Sequence, residues 1–354
     1  METAPARRHF RTIEGMRGAG AALIVIRHVP LMFGGLRVPE SFLAVDLFYL
    51  VSGFVVAHAY ETRLQGGGFL KRFFVTRVIR LYPLYLLGLA VGFLPATIAT
   101  VTDPAGWWNP ARLAEAAATG LFMIPFFPGL GANGSSLDGP TWTLLPELIA
   151  NLAYAAAIRF LNTVALLLII VVCGAGVIFA ALHFDSLDVG YNTTDQWAAL
   201  ARVGFSFFAG VLLFRWSGKT EHRSWPLAWA CVAATAGLLA YRPSDDFNAV
   251  YEIGAVLVGF PLLTIVASRY EPGPGVGRIF SFIGLMSYAV YILHQPIGVL
   301  ARLAAKAAHW TPTPSIGLLT GPAFLAFLVI LAWQLDKRYD APVRGWLRAR
   351  FQPA

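Results

Sequence analysis

Eleven apolar runs, each near or beyond the length that crosses a bilayer, follow one another at 15–35, 42–61, 73–97, 111–128, 142–160, 163–183, 198–214, 225–241, 249–268, 279–301 and 314–335. In hydrocarbon a chain must satisfy its backbone N–H and C=O groups internally, so runs of this length and spacing leave the α-helix as the outcome. The polar stretches between them are too short to bury a core of their own. Charged residues make up only 13% of the chain, against about 25% in soluble domains, and this excludes an ordinary soluble enzyme. The 354 residues therefore read as one all-α polytopic membrane domain, 1–354.

The distribution of Lys and Arg decides how many runs cross. Arg7, Arg8 and Arg11 place the tail 1–14 in the cytoplasm, and two crossings later Arg63, Lys71, Arg72, Arg77 and Arg80 mark the same side. The run at 111–128 is bounded by Pro125, Pro128, Gly129, Gly131 and Gly134, and no Lys or Arg follows it in that loop. If it crossed, Arg215-Lys219-Arg223, Arg269-Arg278 and the basic tail 337–354 would lie outside, and Asp185-Asp188-Asp195 and Asp245-Asp246 inside. If it dips in and returns, every basic loop is inside and every acidic one outside. The expectation is ten transmembrane helices, one re-entrant or interfacial piece at 111–128, and both termini cytoplasmic. Such a piece at membrane depth is tolerated only against protein or a water-filled cavity, which points to a site nearby. Gly66-Gly67-Gly68 and Pro272-Gly273-Pro274-Gly275 read as cytoplasmic turns, and the tail from Lys337, with Trp346 and Leu347, as lying on the anionic leaflet.

The first run lacks a small-residue cleavage pattern, so targeting is expected from the first helix itself. Cys173 and Cys231 lie inside apolar runs with no Cys or His at ligand spacing and read as small core residues; no metal site is expected. The net charge of +8 is accounted for by the basic loops and does not call for nucleic acid.

An ionisable group in a spanning segment costs about 3 kcal/mol or more at the centre and is a functional candidate by default. Arg17 and His28 stand eleven residues apart, about three turns plus 20°, and so share one helix face about 16 Å apart. With the topology above, His28, Asp46, Glu147 and His294 fall in the outer half of the membrane on four separate segments. Two imidazoles and two carboxylates suit a base with an orienting carboxylate. They suit a proton relay too, so a proton-coupled transporter or exporter of a sugar- or lipid-linked substrate is the alternative reading. It is disfavoured by the lack of an internal repeat. On the opposite side, Arg77 and Arg80 at i, i+3 are neighbours at the entry of the third run, after Lys71 and Arg72. Two guanidiniums, with Arg17 nearby, suit a phosphorylated ligand. Ser52 and Gly53 in the aromatic second run read as a close helix contact, and Trp142 as an interfacial anchor.

These residues together resemble acyltransferase family 3, the bacterial inner-membrane acyltransferases that O-acetylate sugars of surface and secreted polysaccharides. Arg17 and His28 match its Arg-x10-His signature. Val45-Asp46-Leu-Phe48-Tyr49-Leu-Val-Ser52-Gly53-Phe54 resembles its Val-Asp-x-Phe-Phe-x-x-Ser-Gly-Phe block, with Tyr49 for the second Phe and Ala44 where Gly is usual. Arg77-Val-Ile-Arg80-Leu-Tyr82-Pro83 is similar to Arg-x-x-Arg-hydrophobic-Tyr-Pro. Trp142 to Glu147 looks like Trp-Ser-Leu-x-x-Glu, altered by Thr143, Leu145 and Pro146. Ser287-Tyr288-Ala-Val-Tyr291-Ile-Leu-His294-Gln-Pro296 resembles Ser-Tyr-x-x-Tyr-x-x-His-x-Pro. The likeness covers the chain from about Arg11 to about Trp333.

The resemblance implies a multi-pass protein of the bacterial inner membrane. It implies acyl-CoA, acetyl-CoA above all, as a donor substrate rather than a resident cofactor, and a saccharide or lipid-linked glycan as acceptor. Arg17, Arg77, Arg80, Arg72 and Tyr82 are then expected to hold the donor. His28 is expected to act as base or to carry the acyl group, with Asp46 or Glu147 orienting its ring. Trp142, Tyr288 or Tyr291 would stack on the sugar, and His294 would be a second proton carrier or an acceptor contact. No additional periplasmic domain is recognisable, so the chain is expected to act alone or with a polysaccharide-assembly partner.

Overall fold

A computed structural model describes residues 8–103, 105–124, 137–192, 194–217 and 221–352. Every apolar run contains a helix among the described residues. Helices α1 (Arg11–His28), α2 (Ala44–Gln65), α3 (Leu70–Thr102) and α4 (Pro110–Gly120) form the first half. Next come α5 (Leu144–Ala157), α6 (Thr163–Phe184), α7 (Gln196–Trp216) and α8 (Trp225–Ala240). The chain continues through α9 (Asp245–Gly254), α10 (Phe260–Arg269), α11 (Pro274–Ala307), α12 (Pro314–Leu335) and α13 (Ala341–Phe351). Among the described residues, 7 helices are long and apolar enough to cross a membrane: those of α2, α3, α6, α7, α9–α10, α11 and α12–α13. The protein is thus an all-α, multi-pass membrane protein. The expected ten crossings require α1, α5 and α8 in addition. At 14 to 18 residues these three are shorter, and α1 carries Arg11, Glu14, Arg17 and Arg27.

Four local features refine the runs as read. The first run is not one helix: α1 stops at His28 because Pro30 excludes helical backbone at Val29, and a 3-10 turn at Pro30–Phe33 closes on Gly34 at φ 63°. The imidazole therefore ends its helix instead of sitting in its middle. The run at 249–268 is α9 and α10 joined by a π-turn at Ala255–Gly259. The segment at 111–128 is the 11-residue α4, too short to span at 1.5 Å per residue, with its Pro125–Pro128 end outside the described residues. The basic tail is helical. A π-turn at Asp336–Asp340 carries α12 on into α13, and Gln352 Nε2 donates to Arg72 O (2.9 Å) and Thr76 Oγ1 (2.8 Å) at the start of α3.

Two packings position the site. Helix α2 uses one face, Asp46, Leu50 and Gly53, against α7. A Cβ at Gly53 would collide with the Phe207 carbonyl, and one at Gly210 with the Leu50 carbonyl, so the backbones touch as the Ser52-Gly53 pair led one to expect. A third of a turn round, Val45, Phe48, Tyr49, Ser52, Val55 and Val56 face a cavity instead. Helix α1 packs on α11, with Gly15 and Gly18 against Phe280 and Ile283. Its start is fastened by the two-residue strand β2 (Tyr270–Glu271), which pairs in parallel with β1 (His222–Arg223). There Arg11 N donates to Glu271 Oε2 (3.0 Å) and Thr12 Oγ1 to Tyr270 O (2.6 Å), satisfying first-turn donors.

Candidate active site

Helices α1 and α11 run side by side past two cavities. The smaller, about 190 Å³, contains Arg17, Arg77 and Arg80 with Glu14, Glu147 and Ser52. The larger, about 710 Å³, contains His28, Arg27, Trp142 and Tyr191. Val45 and Tyr291 line both, so the arginine cavity and the histidine cleft meet at this pair. Each helix serves both: Glu14 and Arg17, then Ile24 and His28, on α1; Ser287 and Tyr288, then Tyr291 and Gln295, on α11. The helical spacing that put Arg17 and His28 on one face is what makes this possible.

In the histidine cleft, His28 Nδ1 lies 2.9 Å from His294 Nε2. The other nitrogen of His294, Nδ1, faces the Tyr291 carbonyl at 2.7 Å and the Val290 carbonyl at 3.2 Å. Carbonyls only accept, so His294 Nδ1 carries a proton, and in the neutral ring its Nε2 is bare. His28 Nδ1–H must then be the donor between the rings, which leaves the lone pair of a neutral His28 on Nε2. That is the tautomer a general base needs, and a second histidine rather than a carboxylate selects it.

The two expected carboxylates lie elsewhere. Asp46 is clasped by Arg202, with Nη2 at 2.6 Å and Nε at 3.1 Å, and both side chains are 1% exposed. This pair joins α2 to α7 and does not orient His28. Arg202 also donates to Val189 O (2.8 Å) and lies under the Trp142 ring. Glu147 belongs to the arginine cavity: it accepts from Ser52 Oγ (2.6 Å) and pairs with Arg77 (3.4 Å). Its place in the first turn of α5 puts it below the Gly139–Thr143 turn, whereas Trp142, on that turn, lines the histidine cleft. The four ionisable residues are therefore not one cluster. Only the two imidazoles meet.

The donor-side residues divide similarly. Arg17, Arg77 and Arg80 are collected as expected. Arg17 is paired with Glu14 at 2.9 Å. Arg72 is exposed on the first turn of α3 and does not line the cavity. The Tyr82 hydroxyl donates to the Leu121 carbonyl, and Tyr85 Oη to Gly120 O (2.5 Å), so these tyrosines hold the end of α4 against α3. Of the expected sugar contacts, Tyr288 lines the arginine cavity and its hydroxyl donates to Leu81 O (2.7 Å). Tyr291 donates to Pro140 O (2.8 Å) beside the Thr143 hydroxyl (3.0 Å), and Tyr49 donates to Thr143 O (3.1 Å), which together fix the turn at the cavity junction.

Residues not singled out in the sequence furnish much of the cleft. Arg27 pairs with Asp188 and donates to Pro39 O (2.5 Å). Glu252 accepts from Ser186 Oγ (3.0 Å), Asn248 Nδ2 (2.5 Å) and Leu187 N, with the Glu40 carboxyl hydrogen-bonded beside it. Arg27, Arg202 and Glu252 are charged groups inside apolar runs, the same signal that picked out His28, so the intramembrane-charge rule applied evenly would have found them. Among the described residues no group of three His, Cys, Asp or Glu could hold a metal ion. Cys173 and Cys231 are free thiols.

The acyltransferase family 3 model, described as an acyltransferase domain, matches residues 10–333, and the protein is a member of that family. It is 24% identical over 356 residues to the provisionally named membrane-bound transacylase BcsY of Komagataeibacter xylinus, covering 94% of this chain and 85% of that protein. Protein 2 in the picA locus of Rhizobium radiobacter is 40% identical over 165 residues, 44% of this chain and 85% of that protein. A provisionally named O-acetyltransferase of Staphylococcus aureus (strain COL) is 22% identical over 317 residues, 81% of this chain. The match spans 50% of the staphylococcal protein's length. No solved structure matches the chain.

Proposed function

We propose that the protein is an O-acyltransferase of the bacterial inner membrane that moves an acetyl group from acyl-CoA to a saccharide hydroxyl. One observation supports this above the rest: a single face of α1 carries Arg17 into one cavity and His28 into another, and the two cavities meet at Val45 and Tyr291. The positive-inside reading puts the arginine cavity toward the cytoplasm, where acyl-CoA is available. There Arg17, Arg77 and Arg80 engage the donor phosphates, which displace Glu14 and Glu147 as their counter-charges. The thioester reaches the junction while the acceptor enters the cleft from the opposite side. His28 Nε2 removes the proton of the sugar hydroxyl as its oxygen attacks the thioester carbonyl. The C–S bond breaks, and the CoA thiolate leaves with the proton that the imidazolium returns. Ten crossings with both termini cytoplasmic belong to this reading. So do the sugar acceptor and a place among polysaccharide-assembly proteins.

Membranes given labelled acetyl-CoA and total surface glycan test the proposal. His28→Ala should lower transfer about 10³-fold at unchanged expression, the range of a lost general base. Transfer at the wild-type rate in that variant would end it.

A further inference from the structure

When a hydroxyl adds to a thioester, negative charge gathers on the carbonyl oxygen, and an enzyme gains most by holding a donor ready there. The histidine pair does not supply it, since His28 takes the hydroxyl proton and His294 holds His28. The hydroxyls at the cavity junction are spent within the protein. Tyr291 donates to Pro140 O (2.8 Å), Tyr49 to Thr143 O (3.1 Å) and Ser52 to Glu147 (2.6 Å). Arg202 is spent on Asp46 and on the Val189 carbonyl, and Arg37, which makes no ion pair among the described residues, is exposed. Gln295 differs. It follows Tyr291 by one turn on α11, lines the cleft and is half-buried. Its amide lies on Gly139, next to the Pro140 carbonyl that Tyr291 holds, which places it beside the junction. A Cβ at Gly139 would stand 2.6 Å from Gln295 Oε1 and 2.8 Å from Nε2, so any larger residue there moves the amide. Oε1 is enclosed without a partner, and Nε2 donates to nothing among the described residues. The amide is thus held in place by shape while its N–H groups stay unspent.

We propose that Gln295 is a catalytic residue whose Nε2–H donates to the thioester carbonyl oxygen as that oxygen becomes negative. This rests on the acyl-transfer reading above. The attacking hydroxyl oxygen bonds to the acyl carbon, its proton passes to His28 Nε2, and the carbonyl π pair moves onto the oxygen that faces Gln295. When that pair returns, the C–S bond breaks, and the sulfur leaves with its electron pair and takes the proton back from His28. Gln295 gives up no proton at any stage. Its hydrogen bond is stronger to the charged oxygen than to the neutral carbonyl, so it acts on kcat and not on KM.

The test measures kcat and both KM values for the full chain in lipid nanodiscs, with labelled acetyl-CoA and total surface glycan. Gln295→Met, similar in length and without a donor, should lower kcat about 10²-fold at unchanged KM values and unchanged thermal unfolding. Gln295→Glu keeps the shape but offers only oxygens, and should fall as far. Wild-type kcat in that variant overturns the proposal, because an acceptor would then suffice. Gly139→Ala pushes the amide aside and leaves its chemistry intact. It should lower kcat about tenfold by itself and cause no further loss in the Gln295→Met protein. Losses from Gly139→Ala and Gln295→Met that multiply, or a loss confined to the acceptor KM, likewise overturn the role. If CoA release still depends on His28 in that event, the acyl-transfer reading stands. If CoA release depends on neither His28 nor Gln295, that reading falls, and the oxyanion role falls with it.

Discussion

The arginine cavity and the histidine cleft share two helices and two lining residues, yet they differ in how their polar groups are satisfied. In the first, three arginines face two carboxylates: Arg17 pairs with Glu14 and Arg77 with Glu147, which Ser52 also bonds, while Arg80 makes no ion pair among the described residues. In the second, Arg27 and Arg202 are each held by a carboxylate, Asp188 and Asp46, and the two imidazoles bond one another. The first thus keeps a guanidinium without a counter-charge, whereas the buried cation of the second, Arg202, is already answered within the protein. The same α1 face delivers a cation to one and an imidazole to the other.

The largest effect that would sharpen this contrast belongs to His294. His294→Ala should lower kcat about 10²-fold with both KM values nearly unchanged, because His28 loses the acceptor that fixes its tautomer. His294→Gln, whose Oε1 can accept the same proton, should recover part of the loss. Equal loss in both variants would remove the positioning role. Next, Arg202→Met should destabilise the fold by about 3–5 kcal/mol by stranding buried Asp46, and pairing it with Asp46→Leu should restore most of that in thermal unfolding in detergent. An Asp46→Leu/Arg202→Met protein that is stable but inactive would move Asp46 back to the chemistry.

Smaller changes probe the arginine cavity. Arg77→Ala should raise the donor KM about tenfold, and Glu147→Gln should lower it by about threefold at low salt, since one removes a phosphate partner and the other a competing charge. A fall in kcat at unchanged donor KM for Glu147→Gln would make it part of the catalytic apparatus instead. The least effect is expected from Tyr82→Phe, about 1 kcal/mol of stability for the hydroxyl bond to Leu121 with no change in donor KM. A raised donor KM would show that Tyr82 reaches the donor after all.

Much of the site was legible before any coordinates. The eleven-residue interval from Arg17 to His28 foretold that one face would carry both, and the arginines of α1 and α3 do converge. The helical wheel of α2 also held more than was drawn from it: Asp46 lies on the face of Leu50 and Gly53, away from Phe48 and Ser52, and so had to face another helix. Depth alone grouped Glu147 with the histidines. Depth is a weak coordinate, because a helix can begin with a turn such as Gly139–Thr143 that sets its first residues beside either cavity.

The amino-acid sequence by itself determined that this chain is a helical membrane protein of the acyltransferase family, and that a cation and an imidazole lie along one helix. Apolar length and helical periodicity are local properties, readable along a single segment. Which ring His28 touches and which charge answers Asp46 depend on side chains from α1, α2, α7 and α11 meeting across the bundle. Those contacts are set by the packing of backbones at Gly53 and Gly210 and by the stop at Pro30, so the tertiary structure alone decided them.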